Sequence, residues 1–162
     1  MTAKPFIHMP DEDRVLDMGP FHMRVRANAG KTSDGFTLVE ADEPPGFGQP
    51  VHVHDDAAEM FYVLEGEHLI FIDDVERLCP AGSFIYVPAG VKHGFRVGRV
   101  QSRKLNLYLP AAMVGYFEAI AAAQSAGTPA VRTLSHSGHG GVIDALDGAV
   151  EDAVELGLAL LR

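Results

Sequence analysis

The chain has 162 residues, 47% of them hydrophobic, with one cysteine and a formal net charge of −9 from 22 acidic and 13 basic side chains. A length of this order fits one domain with a core of its own. The acidic balance argues against nucleic acid and against anionic membrane surfaces, which recruit clustered Lys and Arg, and the lone Cys79 leaves no intrachain disulfide.

The opening MTAKPFIHMPDEDR carries no apolar run of signal-peptide length. No stretch reaches the ~18 consecutive apolar residues a membrane helix needs. With a single cysteine, a cytoplasmic location is expected. Residues 1 to 20 read as irregular, because Pro5, Pro10 and Pro20 interrupt short apolar pieces. Strands are expected at FHMRVR (21–26) and FTLVEA (36–41), separated by a turn at Asn28 to Gly30. A loop dense in Pro and Gly follows at 42–50. The runs VHVHDD, EMFYVLEGEHLIFID, ERLCPAGSFIYVPAGVKHGFRV and SRKLNLYLP are short and β-rich, punctuated by Gly and Pro. That rhythm predicts an all-β sandwich or barrel.

Near Pro110 the pattern changes. AAMVGYFEAIAAAQSA has helical spacing and stops at Gly127, with Pro129 beyond. SHSGHGG, with His136 and His139, reads as a flexible polar linker. From about Val142 to Arg162, the residues Val142, Ile143, Leu146, Val150, Val154, Leu158 and Leu161 form one stripe of an amphipathic helix. The expected division is 1–110 for the β unit with its N-terminal extension, and 111–162 for a helical extension packed on the barrel or on a partner subunit. A homodimer is expected, because edge strands need cover that the N-terminal segment or the last helix could supply.

The chemistry concentrates in His52-x-His54, with Glu59 five residues on and His93 after the turn signal Pro88-Ala89-Gly90. On a strand, side chains two apart share a face. If Glu59 opens the next strand, three imidazoles and one carboxylate could converge inside a closed sheet. Burying so many polar groups is costly unless something satisfies them. A divalent cation does so, and His with Glu is an ordinary ligand set for Fe, Mn, Ni, Cu or Zn. His8, His22 and His68 have no ligand-like spacing. Cys79 reads as a small buried apolar residue. Gly66 lies where a hairpin between MFYVLE and EHLIFI needs positive φ or close approach.

The full arrangement runs Gly46, five residues, His52-x-His54, four residues, Glu59, six residues, Gly66; fifteen residues later come Gly82, five residues, Pro88-x-Gly90, two residues, His93. This spacing resembles the two motifs of the cupin superfamily over about residues 36–109, with the motifs inside 46–97. Val97 departs from it, standing where the family usually shows Asn. The resemblance implies a double-stranded β-helix (jelly-roll) barrel followed by C-terminal helices, and one divalent transition metal on His52, His54, Glu59 and His93. The short layout, with GFGQPVHVHDDAAEMFYVLEGE, PAGSFIYVPAGVKHGF and NLYLPAAMVGYFEAI, is similar to bacterial quercetinase-like monocupins. These are dioxygenases that cleave flavonols, and Glu59 would then be both ligand and proton acceptor. If Glu59 and His93 point inward, alternation brings Phe61, Val63, Phe95 and Val97 with them as an apolar wall suited to a small aromatic or polyphenolic substrate. The alternatives are an isomerase or other metal-dependent cupin reaction, and a non-catalytic cupin that binds a small molecule, since one fold serves many reactions.

Overall fold

A computed structural model of the chain describes residues 3–126. Ten strands form two antiparallel sheets. They are β1 (Arg14–Asp17), β2 (His22–Ala27), β3 (Thr37–Glu43), β4 (Gly48–His52), β5 (Ala58–Glu65), β6 (Glu67–Ile72), β7 (Val75–Pro80), β8 (Phe84–Val87), β9 (His93–Val97) and β10 (Ser102–Leu109). The larger sheet has the order β1-β2-β3-β10-β5-β8 and the smaller β4-β9-β6-β7. Sequence neighbours such as β4 and β5 therefore sit in different sheets, the crossing pattern of a jelly roll. Two helices accompany the strands: α1 (Ala29–Thr32) and α2 (Val114–Ser125). The all-β expectation holds. No helix of the described residues is long and apolar enough to cross a membrane.

Alternation positions the interior. In β5 the buried residues are Glu59, Phe61 and Val63, with Tyr62 turned outward. Phe61, Val63, Ile70, Cys79, Ile85, Val87, Phe95 and Val97 make one apolar cluster between the sheets. A second cluster, including Phe21, Met23, Val39, Tyr108 and Phe117, lies where α2 covers the large sheet. Each such side chain contributes roughly 1.5–3 kcal/mol when fully buried. The β5–β6 hairpin turns at Gly66, whose φ is +73° and where a Cβ would sit 2.6 Å from the Gln101 carbonyl oxygen. No other residue fits that approach.

Three local readings change. The region expected to be irregular contains β1, which pairs with β2 in the register Arg14↔Val25 to Asp17↔His22. Four residues are too few for alternation to declare a strand. The loop expected over 42–50 is shorter, because β3 runs to Glu43 against β10 and β4 starts at Gly48 against β9. Backbone pairing there outweighs the Pro and Gly composition. The turn at Asn28 opens α1 instead, with Asn28 as its cap: Oδ1 accepts from Lys31 N at 3.2 Å. The helix expected after Pro110 is α2. The SHSGHGG segment and the expected last helix lie outside the described residues.

Candidate metal centre

His52 ends β4 and His93 opens β9, and the two are direct cross-strand partners in the smaller sheet. Glu59 comes from β5 of the larger sheet. His54 lies past the end of β4, where its carbonyl accepts from Gly90 N at 2.8 Å. Gly90 has φ +81°, so the Pro88–Gly90 turn both aims His93 and pins His54. The four side chains thus meet between the sheets, and their ligand atoms all lie within 4.8 Å of one another. Two ligands on opposite sides of one ion, each ~2.0–2.2 Å from it, stand about 4 Å apart. Adjustments of tenths of an ångström would seat one.

The hydrogen bonds show why this group fits a cation. His52 Nδ1 donates to the Pro50 carbonyl and His93 Nδ1 to the Val91 carbonyl, each at 2.8 Å. That leaves Nε2 as the coordinating atom in both neutral rings, the arrangement that backbone acceptors enforce on metal-bound histidines. The freed Nε2 atoms then crowd together. His52 Nε2 is 3.2 Å from His54 Nε2, which is 3.1 Å from Glu59 Oε2, and His93 Nε2 is 2.8 Å from the same oxygen. Lone pairs and a carboxylate pointed at one another need a proton or a metal ion between them.

Electrostatics follow from burial and these contacts. Glu59 is 3% exposed. Burial alone would raise its carboxyl, but bonds from His54 and His93 override it and hold the group well below the usual carboxylate range. Burial would lower His93, and the bond to Glu59 outweighs it, so its imidazole is raised. His52, with no carboxylate bonded to it, is pulled down to about 4, mainly by burial. The two rings are therefore shifted in opposite directions: burial disfavours a proton on His52, and Glu59 favours one on His93.

Asn106 on β10 backs the group. Its Nδ2 donates to Glu59 Oε1 at 3.3 Å and to Tyr108 Oη at 3.2 Å. Burial, followed by the nearby Glu59 charge, pushes the Tyr108 phenol well above its ordinary value. His52, His54, Glu59, Asn106 and Tyr108 line an inner chamber of about 50 Å³, closed on the far side by Met113, Tyr116 and Phe117 at the start of α2. A larger groove of about 470 Å³ lies outside it, shares His54, Met113 and Tyr116 with the chamber, and is floored by Ala29, Ala57 and Ala112. Of the four residues expected as a pocket wall, Phe95 lines the chamber. Phe61, Val63 and Val97 stand behind it in the inter-sheet cluster, where Cys79 also lies. Burial raises the Cys79 thiol above its ordinary value.

One polar group escaped the sequence reading. Lys104, Glu43, His68 and Ser102 are each at most 2% exposed. Lys104 Nζ donates to Glu43 Oε1 at 2.5 Å. His68 bridges Glu43 Oε2 and Ser102 Oγ, both at 3.0 Å, and Ser102 in turn donates to the Glu65 carbonyl at 2.6 Å. The available signal was SRKLNLYL, a strand whose polar members Ser102, Lys104, Asn106 and Tyr108 share one face; that face turns inward here.

With this geometry in view, the similarities to known proteins take shape. Residues 39–99 match the cupin domain family. The chain is 29% identical over 120 residues, 73% of its length, to the quercetin 2,3-dioxygenase of Bacillus subtilis (strain 168), and spans 35% of that enzyme. Two solved structures share the fold. An RmlC-like cupin from Shewanella frigidimarina has a TM-score of 0.59 at 21% identity, covering 72% of this chain and 99% of its own. KdgF from Halomonas sp. has a TM-score of 0.59 at 18% identity, covering 66% and 96%.

Proposed function

From the match of residues 39–99 to the cupin domain family, we propose that the chain is a metal-dependent dioxygenase of the quercetinase kind, acting on a small aromatic or polyphenolic substrate at His52, His54, Glu59 and His93. The observation that carries the reading is the pair of histidines locked by backbone carbonyls, with His93 Nε2 turned onto the buried Glu59 carboxylate and His52 Nε2 onto His54 Nε2. The likeness to a quercetin 2,3-dioxygenase supports the reaction type. A bound divalent transition metal (Fe, Ni, Mn, Cu or Zn) supplies positive charge that stabilises a deprotonated substrate hydroxyl, and room for dioxygen chemistry.

The protein's own groups do the rest. Glu59 accepts the substrate hydroxyl proton, and the hydrogen bonds that hold it ionised keep it in acceptor form. Asn106 fixes the rotation of that carboxylate through Oε1. Tyr108, Phe95 and the start of α2 give the chamber its aromatic wall. At about 50 Å³ the chamber takes only the chelating end of such a molecule. The outer groove, at about 470 Å³, falls in the ~300–1,000 Å³ range of ligand pockets and suits the ring system. A homodimer completes the proposal: Tyr62, Phe84 and Tyr86 stand exposed along edge strand β8 and its neighbour β5, where a second copy would cover them.

The test is elemental analysis of purified protein with His52→Ala and His93→Ala controls, followed by oxygen uptake with a flavonol. About one metal per wild-type chain, lost in both variants, with flavonol-dependent oxygen uptake, supports the proposal. Equal, negligible metal in all three removes its basis. Metal without uptake turns the reading toward a binding cupin.

A further inference from the structure

The outer groove contains a polar group that the proposed reaction does not use. Thr37 opens β3 on the inner face of the larger sheet, opposite Tyr108 of β10. It is 1% exposed, and it lines the groove. Among the described residues no donor or acceptor meets its hydroxyl. The buried side-chain atoms that lack a partner and are sealed in completely are Arg103 Nε and Asn106 Oδ1. The Thr37 oxygen is not one of them, so the little surface this residue keeps includes its hydroxyl, and that surface opens on the groove.

The walls around that hydroxyl are apolar and short. Ala29 and Gly30 come from α1, Ala57 from the residue before β5, and Ala111 and Ala112 from the link between β10 and α2. Ala111 N donates to the Asp34 carbonyl at 3.1 Å, which ties this link to the loop after α1 and fixes the spacing of the two walls. Side chains this short leave a slot that suits a flat ring. A ring that enters displaces the water that would otherwise serve Thr37, and it either replaces that hydrogen bond or forfeits it. An unmet buried hydroxyl costs free energy comparable to a lost hydrogen bond. A mostly apolar site with a single placed hydroxyl therefore selects its ligand at that hydroxyl.

We propose that Thr37 is a specificity-determining residue: it reads an oxygen substituent on the aromatic ring held in the outer groove, separate from the chelating end that enters the inner chamber. Its hydroxyl donates to a carbonyl or accepts from a phenol, so either substituent fits. A ring with only carbon at that edge leaves it unmet. The inference rests on the proposed function in taking the groove as the seat of the ring system, but the contact with Thr37 needs no metal.

The experiment titrates 2-naphthol and 2-methylnaphthalene, rings alike except for a hydroxyl in place of a methyl, into metal-free and zinc-loaded protein, followed by probe fluorescence. The quantity read is the ratio of the two affinities. In both forms the ratio in favour of the naphthol is expected to fall about fivefold or more in Thr37→Val, which keeps the shape and removes the hydroxyl, and to be retained in Thr37→Ser. Affinity for 2-methylnaphthalene should not fall in Thr37→Val. A second variant locates the probes without touching the core. Gly115 lines the groove at the exposed start of α2, and a Cβ there meets nothing within 4 Å. Gly115→Phe should therefore fill the slot and weaken both probes tenfold or more. The same ratio in wild type and Thr37→Val overturns the proposal. So does loss of the ratio in Thr37→Ser, equal loss of both probes in Thr37→Val, undiminished binding in Gly115→Phe, or no binding of either probe. A Thr37-dependent ratio in a protein that takes up no metal would sink the dioxygenase reading and leave this inference standing, whereas metal uptake with no such ratio would do the reverse.

Discussion

Two buried polar clusters lie a few residues apart inside the same barrel, and they solve the problem of burial in opposite ways. The Glu43–Lys104–His68–Ser102 cluster carries its own cation, so its carboxylate has a donor on each oxygen. The His52–His54–Glu59–His93 cluster has a carboxylate and three imidazoles but no cationic side chain, and two of its rings are fixed with Nε2 inward. The first is complete without outside help. The second is the arrangement a protein keeps when an ion is to enter.

The sharpest way to break this contrast is to remove one member of each. His93→Ala or His54→Ala should drop metal content from about one per chain to near zero, measured by elemental analysis, while His68→Asn leaves it unchanged. Equal loss from all three would mean that the clusters act as one. Next in size, Lys104→Met should cost about 3–5 kcal/mol in urea unfolding because it leaves Glu43 buried and unpaired. The Lys104→Met/Glu43→Gln pair should recover most of that. If the single change is silent, the second cluster is wetter than its burial indicates.

The pH dependence separates the clusters further. His52 has a folded pKa of about 4 against an ordinary 6.5, mainly through burial. Its folded value lies below the unfolded one, so its contribution to stability is full above about pH 6.5 and is lost as pH falls toward 4. In metal-free protein that loss amounts to about 3 kcal/mol at most, and His52→Gln should flatten that part of the stability curve. His93 works the other way: its raised pKa gives a contribution present below 6.5 and lost as pH rises through the folded value. Metal uptake must displace that proton, so affinity should rise with pH over the same window. The smallest effect concerns the outer surface. Phe84→Glu, at a side chain 64% exposed, should change stability by under about 0.5 kcal/mol but shift the proposed dimer toward monomer in light scattering.

The sequence reading and the structure agree where information is local or rigidly spaced. His52 and His54 are two apart, Glu59 opens the next strand within one residue of expectation, and Gly66 and Gly90 hold the positive φ that their turns require. Alternation also brought Phe61, Val63, Phe95 and Val97 indoors. It could not sort them, because facing the interior and facing the chamber have the same period. β1 was missed for its shortness, and the second cluster for its sequence separation, with Glu43 and Lys104 lying 61 positions apart.

By itself, then, the order of residues determined that the chain would fold as an all-β unit, where its hairpins would turn, and which four side chains would be candidates for a metal. These are matters of period-2 patterning, turn stereochemistry and ligand type. Only the tertiary structure decided that the polar stripe of β10 faces inward. Ser-x-Lys-x-Asn-x-Tyr flanked by leucines reads as a solvated face when taken alone. Its side chains are buried because β10 is held between β3 and β5, and pairing on both edges fixes its register whichever face its composition would have sent to water.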